Sequence, residues 1–188
     1  MCKQKNRFPL IMKSAAGISA AATVIFIVLH QFLPWEWLLT AAISAGTTCY
    51  HFSIRLAVGC LVPKATGYDF DYRSAWFQPR KWESSFYKRL NIKIWKNRLP
   101  TYSPDQFSLE INSTHRMIQN MCGAEVVHEI IMLCSFVPLL FAFPFGAFPI
   151  FLITSVLAAL YDSIFVMAQR YNRPRLVRIF EKQEAKRS

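Results

Sequence analysis

The hydrophobic pattern of this sequence consists of four long apolar runs, separated by short turns and by one long polar segment. The runs cover residues 14–33, 37–62, 121–143 and 149–168. At roughly 1.5 Å per helical residue, runs of about 20 residues are long enough to cross a bilayer whose hydrocarbon core is about 30 Å thick. The pattern therefore predicts an all-α integral membrane protein, a single membrane domain with four transmembrane helices.

The polar segment, residues 63–120, lies between the second and third predicted spans. From Trp76 to Pro100 it alternates Trp, Phe, Tyr and Ile with Arg and Lys. Because basic groups suit lipid phosphates and aromatic rings suit the headgroup layer, this stretch predicts a cytosolic amphipathic helix at the membrane interface. Single-stranded nucleic acid also stacks on such interleaved sequences, but the apolar spans on both sides argue against a nucleic-acid partner.

The distribution of charge predicts the orientation of the chain. Its formal net charge is +11, yet no Lys or Arg occurs between Lys13 and Arg55, or between Arg116 and Arg170. Cytoplasmic loops of membrane proteins carry the excess of basic residues. Both termini, residues 63–120 and the basic tail 169–188 are therefore predicted to face the cytosol.

Three of the apolar runs contain ionisable residues far from the predicted outer turns, whereas His30 lies near the outer end of the first run and is read as interfacial. The residues in those three runs are His51, Arg55, Glu125, His128, Glu129 and Asp162. The three in the third run are spaced i, i+3 and i+4, which places them on one face of a helix. Counting inward from the predicted outer turns puts all six roughly 20–27 Å deep, in the inner leaflet. Since ionisable groups inside a membrane are costly and mark functional sites, they predict one polar layer shared by three spans.

Histidine beside a carboxylate is a candidate general base, so His128 is predicted to accept a proton while Glu125 or Glu129 orients it. Arg55 lies at the depth of Glu125, and an ion pair between them would neutralise both; alternatively, Arg55 reaches to the inner headgroups. A metal bound by histidines and carboxylates is the other possible chemistry of the set. The Glu-x-x-His at 125–128 is half of a di-iron motif, whose second copy is missing.

Three sequence motifs are distinctive. They are QRYNRPRL at 169–176, Ala-Glu-x-x-His at 124–128, and the pattern RKW followed by WKxxLP from Arg80 to Pro100. Together they resemble the glycosyl-4,4′-diaponeurosporenoate acyltransferase family of bacterial carotenoid (staphyloxanthin) biosynthesis, over roughly residues 60–178. The resemblance implies a membrane enzyme that esterifies a sugar hydroxyl of a glycosylated apocarotenoid with a fatty acyl chain.

The resemblance also implies a set of site residues. The family motif maps onto Trp82, Trp95, Lys96, Glu125, His128, Arg170, Tyr171, Asn172, Arg173 and Arg175. The predicted donor is cytosolic acyl-CoA or acyl carrier protein, the acceptor is a lipid or glycolipid of the bacterial cell membrane, and no cofactor or metal is required.

For several of these residues, and for Arg55, we expect a defined role. The donor phosphates are expected to bind Arg170, Asn172, Arg173 and Arg175, because the planar fork of arginine suits phosphate. His128 is expected to take the proton of the acceptor hydroxyl, with Arg55 or Asn172 stabilising the oxyanion.

Two other functions stay open from the residues alone. The first is a metal-dependent or redox enzyme that modifies a lipid with His51, Glu125, His128 and Asp162. The second is a non-enzymatic membrane protein that binds or stabilises a partner complex. Metal content would separate the first from an acyltransferase, and polar-layer variants that alter only stability would favour the second.

Overall fold

The computed structural model describes residues 6–187, in which the regular elements are helices and there is no β-strand. The helices are α1 (Phe8–Phe32), α2 (Glu36–Thr66), α3 (Glu83–Arg89), α4 (Ile92–Trp95), α5 (Thr114–Cys134), α6 (Ala142–Phe145) and α7 (Phe148–Glu184). Short 3₁₀ turns occupy Lys96–Arg98, Pro104–Phe107 and Val137–Phe141. The all-α prediction is confirmed for this part of the chain. Residues 1–5, whose basic charge entered the topology prediction, and Ser188 lie outside it.

Three helical stretches of the described chain are long and apolar enough to cross a membrane. They are Phe8–Phe32, Thr114–Phe145 and Phe148–Glu184. These apolar helices indicate a membrane protein, as the hydrophobic pattern predicts. Helix α2 has 31 residues, which is also long enough to span a bilayer, but its Thr, Ser, His and Arg side chains lower its hydropathy. The second of the four predicted spans therefore stays a prediction.

The segment from Trp76 to Pro100 does not form the single interfacial helix that the sequence predicts. Helices α3 and α4 are separated by Asn91, whose φ of 50° and ψ of 40° are left-handed. Asn adopts this conformation more readily than most residues, and it ends a right-handed helix. Ile92 is buried whereas Trp82 and Ile94 are more than half exposed. Two short helices with apolar residues on their exposed sides thus replace the continuous amphipathic helix, and their place at the membrane interface stays a prediction.

The chain forms two compact units. The first, here called the loop unit, takes in the described residues of Met1–Asn6, Leu61–Glu129 and Ser163–Ser188. The second, here called the span unit, consists of Arg7–Cys60 and Ile130–Asp162. Each is described separately below.

The loop unit packs around a core on α5 and α7. Its buried members are Tyr72, Phe77, Ile118, Met121, Cys122 and Leu176. The side chain of Gln119 accepts the N–H of Phe70 at 2.7 Å and donates to the carbonyl of Phe70 at 2.9 Å. A Cβ atom at Gly123 would lie 2.0 Å from a ring carbon of Tyr68, so only glycine allows this close approach. These contacts fix the start of the polar segment against α5.

In the span unit, α5 ends earlier than the predicted third span. Pro138 has no N–H to donate to the carbonyl of Cys134, the residue four positions before it. The hydroxyl of Tyr50 donates to that carbonyl instead, at 2.8 Å. The chain then continues as the 3₁₀ turn Val137–Phe141. The run predicted as one helix to residue 143 is therefore a helix followed by a tighter turn.

Helix α7 extends well past the predicted fourth span. Its 37 residues correspond to roughly 55 Å, against a hydrocarbon core of about 30 Å. The QRYNRPRL motif at 169–176, predicted to belong to a basic tail, is therefore part of α7. Arg170 and Arg173 within it are spaced i, i+3 and share one face of the helix.

Candidate functional site

Glu125 is the centre of a buried ionic cluster in the loop unit. Its side chain is completely buried on α5, and both carboxylate oxygens accept hydrogen bonds from arginines of α7. One oxygen lies 2.7 Å from Nη1 of Arg170, and the other accepts from Nη1 of Arg173. The i, i+3 spacing of the two arginines explains how one carboxylate binds both.

The same arginines bind the polar segment. Arg170 pairs with Glu83 of α3, with Nη2 and Oε1 2.7 Å apart, and donates to the carbonyls of Trp76 and Gln78, each at 3.0 Å. Arg173, whose residue is only 2% exposed, donates to the carbonyl of Phe77. Two carboxylates thus balance two guanidinium groups, which is the condition for burying such charges without a large penalty. The cluster ties α5, α7 and the segment 76–78 together.

His128 lies one helical turn beyond Glu125 on α5 and is partly buried. Its imidazole lies flat against the ring of Phe165 on α7, with ring centroids 4.5 Å apart and planes inclined by 9°. Glu129 accepts a hydrogen bond from the indole N–H of Trp76 at 3.0 Å. The three residues predicted to share a helix face are therefore in helical register, and each contacts a different partner.

A second group of polar residues surrounds Tyr171 on α7. The guanidinium carbon of Arg175 lies 4.2 Å from the ring centroid, and Nη2 of Arg175 donates to the Tyr171 hydroxyl at 2.7 Å. Nζ of Lys96 lies 5.3 Å from the same centroid and donates to Oδ1 of Asn172. In the described part of the chain neither cation is paired with a carboxylate, so their positive charge is available to an anion.

In the loop unit, burial is the main cause of the pKa shifts of Lys96 and Tyr87. Burial, and then the positive charge of Arg175, lower the pKa of Lys96 below its usual range. Burial, and then the negative charge of Glu83, raise the pKa of Tyr87 to about 12. Tyr87 is therefore a neutral phenol at physiological pH, while Lys96 releases its proton more readily than an exposed lysine.

The predicted ion pair between Arg55 and Glu125 is wrong. Arg55 pairs with Asp162 within the span unit, with Nη2 and Oδ2 2.5 Å apart, and also donates to the carbonyls of His51 and Ala158. Both oxygens of Glu125 are bonded to other arginines. Depth along a helix does not determine which face it turns to a neighbour, and this explains the error.

The six residues of the predicted polar layer are divided between the two units. Glu125, His128 and Glu129 belong to the loop unit, and His51, Arg55 and Asp162 belong to the span unit. Among the residues described, no group of three or more His, Cys, Asp and Glu side chains is arranged to hold a metal ion. Each group of three is described within its own unit, and the single layer shared by three spans stays a prediction.

The sequence predictions missed two members of the site, Glu83 and Phe165. A signal for Glu83 exists, because it is the single acid between Asp71 and Asp105 in a strongly basic stretch. An isolated carboxylate among many cations is a candidate for a structural ion pair. Phe165 has no comparable signal, since one more Phe in an apolar span is ordinary.

Comparison with protein families links this site to a known group. The family model CrtO, described as glycosyl-4,4'-diaponeurosporenoate acyltransferase, matches residues 73–182. That range contains every residue of the Glu125 cluster and of the Tyr171 group. No curated protein and no solved structure matches the chain. The match confirms the resemblance that the three sequence motifs indicate.

Proposed function

The chain belongs to the glycosyl-4,4′-diaponeurosporenoate acyltransferase family, and from this we propose that it transfers a fatty acyl chain from a cytosolic thioester to a sugar hydroxyl of a glycosylated apocarotenoid. The proposed setting is the bacterial plasma membrane, with both termini in the cytosol. One observation carries the proposal. Inside the matched range, His128 lies flat against Phe165 beside a charge-balanced cluster that fixes its helix.

We assign proton transfer to His128. Neutral imidazole removes the proton of the acceptor hydroxyl while the hydroxyl oxygen attacks the carbonyl carbon of the thioester. The tetrahedral intermediate collapses with cleavage of the C–S bond, and the imidazolium returns the proton to the departing thiolate. Thioester and alcohol become ester and thiol, and no covalent enzyme intermediate is needed.

Glu125 then has a positioning role that differs from the one expected from sequence. Its oxygens bind Arg170 and Arg173, so it acts on His128 by fixing α5 against α7. The flat contact with Phe165 sets the plane of the imidazole. Preorganisation of this kind is valuable because small errors in the placement of a general base cost large factors in rate.

The phosphate of the donor is assigned to Lys96 and Arg175, with Asn172 beside them. Arg170 and Arg173 were also expected to bind it, but their guanidinium groups serve Glu83, Glu125 and backbone carbonyls. Along α7, Asn172 lies seven residues from Phe165, or about 10 Å. In acyl-CoA and in acyl carrier protein, a pantetheine arm separates the phosphate from the thioester. A phosphate bound near Asn172 would therefore leave room for the thioester to reach His128 beside Phe165.

The assignment of Lys96 predicts a pH dependence. Only the protonated amine attracts phosphate, and its pKa is lowered by burial and by Arg175, so the charge is present at low pH and is lost as pH rises through that lowered pKa. We expect KM for acyl-CoA to rise with pH earlier than an exposed lysine would allow. Lys96→Arg, which stays charged, should flatten the profile.

Lys93→Arg is the matched control, because Lys93 is exposed on α4 only three residues before Lys96, and it should retain the wild-type profile. KM and kcat for acyl-CoA would be measured from neutral to alkaline pH for the three proteins. An unchanged rise of KM in Lys96→Arg would show that another group titrates and that the donor phosphate binds elsewhere.

The overall function is tested with lipids. Cells that make the glycosylated apocarotenoid are compared with and without the protein by mass spectrometry, and the expected product has the mass of the acceptor plus one fatty acid minus water. Purified protein with acyl-CoA and the same acceptor should form that ester, and its metal content is determined in the same preparation. Identical lipid profiles would contradict the proposed acceptor. Activity that tracks bound metal would favour the metal-dependent alternative.

A further inference from the structure

The span unit contains a cavity of about 480 Å³. Its volume falls within the roughly 300–1,000 Å³ typical of small-molecule sites. One wall is a stripe on α2, formed by Leu39, Ala42, Ile43, Gly46, Thr47 and Tyr50. These positions are spaced i, i+3, i+4, i+7, i+8 and i+11, so they follow a single face of the helix. The cavity is therefore long in the direction of α2.

The length of this stripe matches one leaflet of a membrane. Leu39 and Tyr50 are 11 residues apart, which is about 16 Å along the helix axis. The hydrocarbon core of a bilayer is about 30 Å thick, so each leaflet contributes about half of that. A ligand that fills the stripe has the length of a single lipid acyl chain and is shorter than a molecule that crosses the whole membrane.

The chemistry of the wall is also that of a hydrocarbon site. The hydroxyl of Thr47 donates to the carbonyl of Ile43 at 2.7 Å, and the hydroxyl of Tyr50 donates to the carbonyl of Cys134. Their polar atoms are thereby satisfied by the protein. Phe141, Phe145 and Phe151 contribute aromatic rings to the lining. A ligand with hydrogen-bonding groups along its length would leave them unpaired here, whereas a hydrocarbon chain would not.

One lining residue differs from the rest. His30, near the end of α1, has a buried Nδ1 atom without a hydrogen-bond partner. A buried nitrogen of this kind costs free energy unless a ligand or water bonds to it. His30 lies in the last turn of α1, close in sequence to the turn that leads into α2, and thus marks the part of the cavity that is able to accept a polar group.

We propose that this cavity binds one fatty acyl chain. This acyl chain could come from two sources. The first is the acyl donor, whose chain is then transferred; this alternative rests on the proposed function. The second is a membrane lipid whose polar end lies at His30. Both sources present the same hydrocarbon to α2. Binding of the chain itself does not depend on whether the protein is an acyltransferase.

Gly46 allows a direct test, because it lines the cavity and a Cβ there lies 3.5 Å from Thr23, an ordinary contact; we expect a larger side chain at this position to reduce the volume of the cavity. Gly59, on the same helix and outside the lining, has nothing within 4 Å and provides the control. Purified proteins in detergent would be irradiated with photoreactive palmitate. We expect wild type and Gly59→Leu to be labelled on cavity residues, and Gly46→Leu to be labelled several-fold less.

Equal labelling of Gly46→Leu and Gly59→Leu would overturn the proposal. If Gly46→Leu does not fold, Ile43→Phe fills the same cavity and is judged by the same criterion. Two further measurements separate the sources. A shift of Gly46→Leu toward shorter acyl-CoA donors identifies the donor chain. Unchanged donor preference, with less co-purified phospholipid in Gly46→Leu and in His30→Phe, identifies a membrane lipid. Labelling without any acyl transfer would contradict the proposed function and leave the cavity assignment standing.

Discussion

His128→Ala is expected to lower acyl transfer by about 10²–10⁴-fold, the usual consequence of removing a general base. The effect should fall on kcat, because the imidazole acts on the proton transferred in the transition state and contributes little to the binding of either substrate. Loss of the ring contact with Phe165 should cost only about 0.5–1.5 kcal/mol of stability. The variant should therefore remain folded in detergent while its turnover falls.

The matched control is His115→Ala. His115 lies near the start of the same helix, is exposed, and contacts Phe180 with ring centroids 5.4 Å apart and planes inclined by 49°. Its removal deletes a histidine–aromatic contact without touching the Glu125 cluster. Turnover and thermal unfolding would be measured for both variants and the wild type. Near-normal turnover in His128→Ala would make this residue structural, and proton transfer would have to be assigned elsewhere.

The apolar pattern predicts most of the fold because each long helix carries a continuous hydrophobic surface. It does not predict the helix ends and breaks that depend on single residues. Helix α5 ends at Cys134 because Pro138 has no N–H to donate to the carbonyl of Cys134, which accepts the hydroxyl of Tyr50 instead. The break between α3 and α4 depends on the left-handed backbone of Asn91, which the identity of the residue permits but does not require.

The site was predictable only as far as it lies on one helix. The spacing of Glu125, His128 and Glu129 fixes their common face from sequence alone. The partners of Glu125 are 45 and 48 residues away on α7, and their choice depends on how two helices turn toward each other. The depth of a residue in the membrane carries no information on that rotation. For this reason Arg55 was paired with the wrong carboxylate, although the need for a counter-charge was correctly inferred.

Replacement of Glu125 is expected to destabilise the protein more than any other single change in the site. Glu125→Gln removes the charge that compensates Arg170 and Arg173, and breaking a buried ion pair in this way typically costs about 3–5 kcal/mol. Glu129→Gln is the control on the same helix. Its amide still accepts the indole N–H of Trp76, so a change within about 1 kcal/mol is expected.

A double variant separates charge compensation from catalysis. Glu125→Leu combined with Arg173→Met removes one buried charge of each sign and leaves Arg170 paired with Glu83. Replacing a buried ion pair by apolar residues of similar volume is often neutral, so this protein should unfold at nearly the wild-type temperature and clearly above Glu125→Gln. Thermal unfolding in detergent and acyl transfer would be measured together. If Glu125 instead served only to orient His128, Glu125→Gln would lose activity at unchanged thermal stability, and the double variant would recover nothing.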